Sequence, residues 1–300
     1  GIPPALFDRD EHDTWLLEPE DLEPLLRPRP ADSHKGRFGH LLVVAGSAEK
    51  PGAAGLCCSA AVRAGAGLVS IAAPESVLGR VVSGPVEYMG IIADDFEGVE
   101  RAWQGKQAVA IGPGLGTETK ARELVHRCVA ECPLPMVVDA DGLNNLAGSL
   151  ELVGKSGAER VLTPHPGEAA RLLDCTTADI QRDRLASARK LAAETKACVV
   201  LKGAGTVVAE PGGKAWVVKA GNPGMASGGT GDVLTGVIGS LLAQGYPPSR
   251  AATLGALWHG HAADFALRAS GEQALCAGDI VKSLGPALVE LSASRVPPRR

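Results

Sequence analysis

Short β-branched runs alternate with Ala- and Leu-rich amphipathic segments along most of this chain, and that alternation restricts its fold more than any other feature. Residues 41–45, 68–72, 109–111, 137–138 and 199–201 read as strands. Segments 53–64, 117–130, 167–173, 178–195, 230–244 and 250–269 read as helices. So many strand–helix repeats imply an α/β protein: a mostly parallel central sheet covered by helices on both faces, a three-layer α/β/α sandwich. Sheets of this kind place ligands beyond the carboxyl ends of their strands. Composition agrees. With 38 glycines and only 3% aromatic residues, the core has to be built from Ala, Val, Leu and Ile, with backbones close together and tight βα turns.

Charge narrows the function. Thirty basic residues against 34 acidic ones, a net charge of -4, leave no basic footprint for a phosphate backbone, so no nucleic-acid partner is expected. Small soluble substrates fit better. Seven cysteines is an odd number, and Cys57 and Cys58 are adjacent, which suits neither a disulfide framework nor a CxxC metal site. Cys128 and Cys132 share a helix face without a second pair. Reduced thiols and a cytoplasmic location are expected. No apolar stretch reaches the ~18 residues that span a bilayer, so no membrane partner is expected either.

Residues 1–33 hold Pro3, Pro4, Pro19, Pro24, Pro28 and Pro30 among many charges. That composition resists continuous helix or sheet, and the segment reads as a linker or wrapping arm. Residues 292–300 read as a mobile polar tail, and 34–291 as one domain. The first residue is not Met, so a processed chain or a piece of a longer polypeptide is expected.

The densest chemical signal is GNPGMASGGTGDVLTG, residues 221–236, running into an apolar helix. Glycines 221, 224, 228, 229, 231, 236 and 239 fall within 19 residues. Glycine at this density lets backbone N–H groups turn inward around an anion, and the helix starting near Thr230 adds its positive end. A phosphate or oxyanion cradle follows. Asp232, in the first helical turn, complements the helix dipole on its own. Beside an anion cradle it can instead take a proton from a hydroxyl that attacks phosphorus. The chain has neither GxxxxGK[ST] nor GxGxxG, which argues against a P-loop NTPase and a Rossmann dehydrogenase.

Four further segments carry chemistry. In VVLKGAGTVV, residues 199–208, Lys202 at a strand end can meet a phosphate while Gly203 and Gly205 permit close approach; the same pattern also fits a hairpin turn with a surface lysine. GPGLG, residues 112–116, is a βα turn at a strand's carboxyl end. In VLTPHPGEAARLL, residues 161–173, prolines on both sides of His165 hold it extended on a loop at the ligand edge. VVDADGLNNL, residues 137–146, ends a strand with Asp139 and Asp141, which could bind Mg²⁺ through water, or Asp141 could cap the next helix.

Taken in order, HKGRFGHLLVVAGS (34–47), GPGLG, VVDADGLN, LTPHPGE, LKGAGT, GNPGMASGGTGDVLTG and HGHAAD (259–264) resemble the ADP/ATP-dependent NAD(P)H-hydrate dehydratases, which are ribokinase-like proteins. The likeness covers roughly residues 34–290, and the ordered combination is far more specific than any one block. Ser227 stands where the family more often has Thr. The opening GIPPAL resembles the junction that follows the epimerase half of bifunctional members.

The resemblance implies repair of hydrated NADH or NADPH: the C6 hydroxyl is phosphorylated by ADP or ATP, and phosphate then leaves. Asp232 would be the base, and the amides of Gly229, Thr230 and Gly231 would hold the transferring phosphoryl group. Lys202, Gly203, Ala204, Gly205, Thr206 and Gly231 would contact the nucleotide. Ala53, Gly116, His165 and Asp232 would line the hydrated dinucleotide's site, with Mg²⁺ bridging the phosphates and no metal ligand assigned. The suspected epimerase fusion favours ADP as donor, and analogy suggests a homo-oligomer, a tetramer. A vitamin or sugar kinase of the same superfamily, such as a hydroxymethylpyrimidine or hydroxyethylthiazole kinase, shares GTGD, but the HPGE and HKG blocks argue against it. A non-catalytic nucleotide sensor would have no need of Asp232.

Overall fold

The computed structural model describes residues 13–82 and 87–295. Its amino-terminal half begins with β1 (Thr14–Leu17) and two 3-10 segments (Pro19–Leu26 and Lys35–Phe38), followed by β2 (His40–Val44), α1 (Pro51–Arg63) and β3 (Leu68–Ala73). Next come α2 (Glu75–Val81), β4 (Met89–Ile92), α3 (Phe96–Trp103), β5 (Ala108–Ile111), α4 (Thr119–Glu131), β6 (Met136–Val138) and α5 (Asp141–Leu146). The chain continues through β7 (Arg160–Leu162), α6 (Pro166–Leu172), α7 (Thr177–Arg182), α8 (Arg184–Thr195) and β8 (Cys198–Leu201). It closes with β9 (Thr206–Ala209), β10 (Ala215–Val218), α9 (Thr230–Ala243), α10 (Pro248–Ser270) and α11 (Ala277–Arg295).

The strands form one sheet in the order β1-β10-β9-β8-β7-β6-β5-β2-β3-β4, in which only β9 runs against its neighbours. Alternation along the strands builds two cores. Leu41 and Val43 of β2 face one, with α1, α2, α9, α10 and α11; Leu42 and Val44 face the other, with α3 to α8. This is the expected three-layer sandwich. Small residues set its spacing: a Cβ at Gly236 would lie 2.2 Å from the Cys57 carbonyl oxygen, so α9 crosses α1 at backbone distance. All seven cysteines are free.

The structure differs from the sequence reading in several elements. The single helix expected over 178–195 is two, separated at Asp183, whose carboxylate accepts the Ala186 amide and caps α8. Residues 14–26, expected to avoid regular structure, add β1 in parallel register to β10, with Trp15 stacked on Trp216. The 3-10 segment after it accommodates Pro24 and buries Leu22 completely in the α10–α11 core. At the other end α11 continues to Arg295, into the segment expected to be mobile. Residues 1–12 and 296–300, which complete the expected arm and tail, lie outside the described residues.

Candidate functional site

Because every strand but β9 points the same way, the turns after β2, β5, β6, β7, β8 and β10 meet at one edge, and α9 begins there. Gly229 is the N-cap of α9, in the left-handed region at φ 93°. The first intrahelical bond to close is from the Val233 amide to the Gly229 carbonyl (3.1 Å). The amides of Thr230, Gly231 and Asp232 are therefore left for a ligand. Thr230 ties the preceding loop down, its Oγ1 donating to the Met225 and Ser227 carbonyls (3.0 and 3.1 Å). This helix start, the 202–206 turn and the 219–226 loop enclose a cavity of about 690 Å³. Among the expected site residues, Thr230, Gly231, Asp232, Lys202, Gly203, Ala204, Gly205, Thr206 and His165 line it.

Asp139, Glu168 and Lys202, which line the cavity, form a charge network that sequence reasoning missed. Lys202 Nζ donates to Asp139 Oδ1 (2.7 Å) and lies 3.8 Å from Glu168 Oε2. Asp139 Oδ2 accepts a 2.6 Å hydrogen bond from Thr235 Oγ1. Asp139 and Glu168 are buried. The ammonium expected to meet a phosphate is thus held by Asp139, directly behind Gly231, where a Cβ would sit 3.3 Å from Nζ. Burial pulls the lysine's pKa down, but the two carboxylates outweigh it and the net shift is upward, so the cation persists. Burial, reinforced by Asp139, raises Glu168 against the pull of Lys202.

Asp232 has no hydrogen-bond or ion-pair partner among the described residues. Burial, then the Asp139 charge, push its pKa up to about 7, with Lys202 opposing and Asp141 and Glu168 adding to the rise. A carboxylate poised there can accept a proton near neutral pH, and its own helix presents anion-binding amides.

Ala53, Gly116 and Gly229 do not line this cavity. Ala53 and Gly116 gather instead around Asp141. Asp141 Oδ2 accepts from Lys50 Nζ (3.0 Å) and from the Gly116 amide (2.9 Å), and a Cβ at Gly114 would come within 3.0 Å of both the Ala53 and Lys50 Cβ atoms. Burial raises the Asp141 pKa, but the Gly116 amide and Lys50 prevail and hold it below the usual carboxylate range. Asp232, which lines the cavity, feels the charges of both Asp141 and Lys202. His165 is the N-cap of α6. Its Nδ1 accepts the Gly167 and Glu168 amides (3.0 and 3.3 Å) while its own amide donates to Glu168 Oε2 (2.8 Å), leaving a half-exposed ring edge on the cavity.

Mg²⁺ through Asp139 and Asp141 does not match this geometry, since each is occupied by a lysine. Among the described residues no cluster of three or more His, Cys, Asp or Glu side chains could hold a metal. That donor set suits Mg²⁺ carried on phosphates with a single carboxylate nearby, not an all-protein cage. The sequence reading also passed over His259, a buried imidazole on the cavity wall, whose pKa is lowered to about 4 by burial and then by Lys202. Asn222 was passed over too; its Nδ2 donates to Asp264 Oδ1 (2.9 Å).

Comparison with known proteins supplies what geometry leaves open. A family profile described as NAD(P)H-hydrate dehydratase matches residues 41–284. The bifunctional NAD(P)H-hydrate repair enzyme Nnr of Moorella thermoacetica is 41% identical over 294 residues, covering 95% of this chain and 56% of that protein. The chain thus spans about half the length of the first curated relatives it matches. The ADP-dependent (S)-NAD(P)H-hydrate dehydratase of Neisseria meningitidis is 44% identical over 261 residues, 85% of this chain and 87% of that one. In structure, the ADP/ATP-dependent NAD(P)H-hydrate dehydratase of Bacillus subtilis co-crystallized with ATP/Mg²⁺ superposes with a TM-score of 0.82 at 31% identity, covering 92% of this chain and 98% of that chain.

Proposed function

The chain belongs to the NAD(P)H-hydrate dehydratase family, and from that membership we propose that it dehydrates hydrated NADH or NADPH at the expense of ADP. The observation that carries the mechanism is an unpartnered carboxylate, Asp232, with a pKa of about 7, on the helix whose free amides face the cavity.

The nucleotide lies in the cavity against the 202–206 turn, its terminal phosphate at the Thr230, Gly231 and Asp232 amides. The hydrated ring approaches from the side of Ala53, Gly116 and Lys50, with His165 at the rim. Asp232 takes the proton of the C6 hydroxyl, whose oxygen forms a bond to the β-phosphorus as the bond to the AMP oxygen breaks. The amides and the Lys202 charge behind Gly231 stabilise the phosphoryl oxygens as negative charge redistributes. The ring nitrogen then pushes its electron pair toward C6 and the C6–O bond breaks. Phosphate leaves where hydroxide could not, and loss of the C5 proton restores the dihydropyridine. Mg²⁺ carried on the nucleotide phosphates would supply neutralisation of their charge, with no residue assigned as its ligand.

ADP is taken as the donor because the 44%-identical Neisseria meningitidis protein is named ADP-dependent, and ATP is the alternative that the Bacillus subtilis relative's name also allows. The same reading makes the chain a partner of an epimerising half and a homotetramer, which light scattering checks. Among the described residues no helix is long and apolar enough to cross a membrane. The direct assay mixes the chain with hydrated NADH and either ADP or ATP. Recovery of reduced-nicotinamide absorbance with stoichiometric release of phosphate is expected. A stable phosphorylated product would instead assign a kinase, and binding without turnover a sensor.

A further inference from the structure

Arg184 opens α8 with its guanidinium against the turn between β8 and β9. Nη2 donates to the carbonyl oxygens of Leu201 (3.0 Å), Lys202 (3.2 Å) and Gly205 (3.4 Å), and Nη1 to Gln181 Oε1 (3.1 Å). The turn so held, residues 202–206, is one wall of the cavity. Only glycine fits at 203, where φ is +142° and a Cβ would come within 2.8 Å of the guanidinium.

Two features separate this side chain from an arginine that merely braces a loop. First, all four of its acceptors are neutral, and among the described residues no carboxylate pairs with it. It is half-buried, and burial pulls its pKa below the ordinary arginine value with no acidic neighbour offsetting the pull. Buried cations are ordinarily paired. Here no counter-charge stands at the cation among the described residues, and the cation lies directly behind a glycine turn that faces a cavity. Second, a trans peptide sends its C=O and N–H to opposite sides. With the Lys202 and Gly205 carbonyls drawn outward to Nη2, the amides of Gly203 and Thr206 are turned the other way. The Gly203 amide has only a long 3.3 Å bond, to Thr206 Oγ1.

We propose that Arg184 is a positioning residue for the phosphates of a nucleoside diphosphate. It pins the carbonyls of the 202–206 turn outward so that the intervening amides face the anion, and it contributes a positive charge that the anion neutralises. The proposal rests on the cavity being the nucleotide site.

The test compares the wild-type chain with Arg184→Met, which removes charge and fork, and Arg184→Lys, which keeps the charge alone. Calorimetry would measure ADP and, separately, adenosine, which carries no phosphate; steady-state kinetics would give KM for ADP and kcat. Arg184→Met should weaken ADP by about tenfold or more, the scale of lost hydrogen bonds to a charged group, and Arg184→Lys by less. Adenosine affinity should stay within about twofold, and the kinetic loss should fall on KM more than on kcat. Equal losses for ADP and adenosine, or unchanged ADP binding in both variants, would overturn the proposal. If Arg184→Met does not fold, Arg184→Lys alone decides through the same comparison. A wild-type chain that binds no ADP would overturn the nucleotide reading and this inference with it, whereas wild-type binding with indifferent variants overturns this inference only.

Discussion

Asp232 sits where a helix dipole normally favours an ionised carboxylate, yet its pKa rises to about 7, because burial and the Asp139 charge outweigh Lys202. Activity should follow that ionisation, with kcat/KM rising with pH and levelling above about 7. Asp232→Asn should lose roughly 10²-fold to 10⁴-fold in turnover while still binding ADP. The same shift bears on stability. A carboxyl group whose folded pKa lies above its unfolded value costs nothing below the unfolded pKa near 4; the cost grows as pH rises from there to about 7 and is constant above. Asp232→Asn should therefore unfold later in urea than wild type at pH 8, by on the order of 2 kcal/mol given its partial exposure, with the difference closing toward pH 4. Near-normal turnover would remove Asp232 from the mechanism. Asp232 was legible in the sequence because glycines flag it locally. Asp139 and Lys202, 63 residues apart, were each visible as strand-end residues, but their pairing depends on which strands are neighbours, which periodicity does not encode.

At the scale of elements, most helices could be read, but α11 with 19 residues and α2 and α5 with seven and six were not expected. α2 and α5 are too short for a hydrophobic period to stand out, and α11 carries Pro286, which interrupts a helical pattern. Asp183 within 178–195 read as one more helical polar residue, although it ends one helix and caps the next. The amino-terminal arm shows how composition misleads: its prolines exclude an α-helix, yet they tolerate a four-residue edge strand and a 3-10 segment. Leu22 makes that segment part of the core, in contact with α10 and α11. Leu22→Ala should cost about 2–5 kcal/mol in urea unfolding, as a fully buried leucine does, where a loosely attached linker would give almost nothing.

At the scale of the whole molecule, alternation foretold a parallel sheet with its ligands at one edge, but not the strand order that divides the site. Sheet order turns back on itself between β2 and β5, where the Gly46 amide donates to the Pro113 carbonyl (2.8 Å). A crevice opens at such a switch point, and Lys50, Ala53 and Gly116 cluster beside it. The antiparallel β8–β9 turn forms one wall of the cavity that Asp232 also lines. A carboxylate beside anion-binding amides, close enough to the Asp141 cluster to feel its charge, suits phosphoryl transfer from a nucleotide to a ring alcohol. The most direct measurement is a crystal structure of the chain with ADP and Mg²⁺. The expected result places the β-phosphate within hydrogen-bond distance of the Thr230, Gly231 and Asp232 amides, with the 202–206 turn along the diphosphate. Terminal phosphate density away from the start of α9, with that cavity empty, would contradict the assignment.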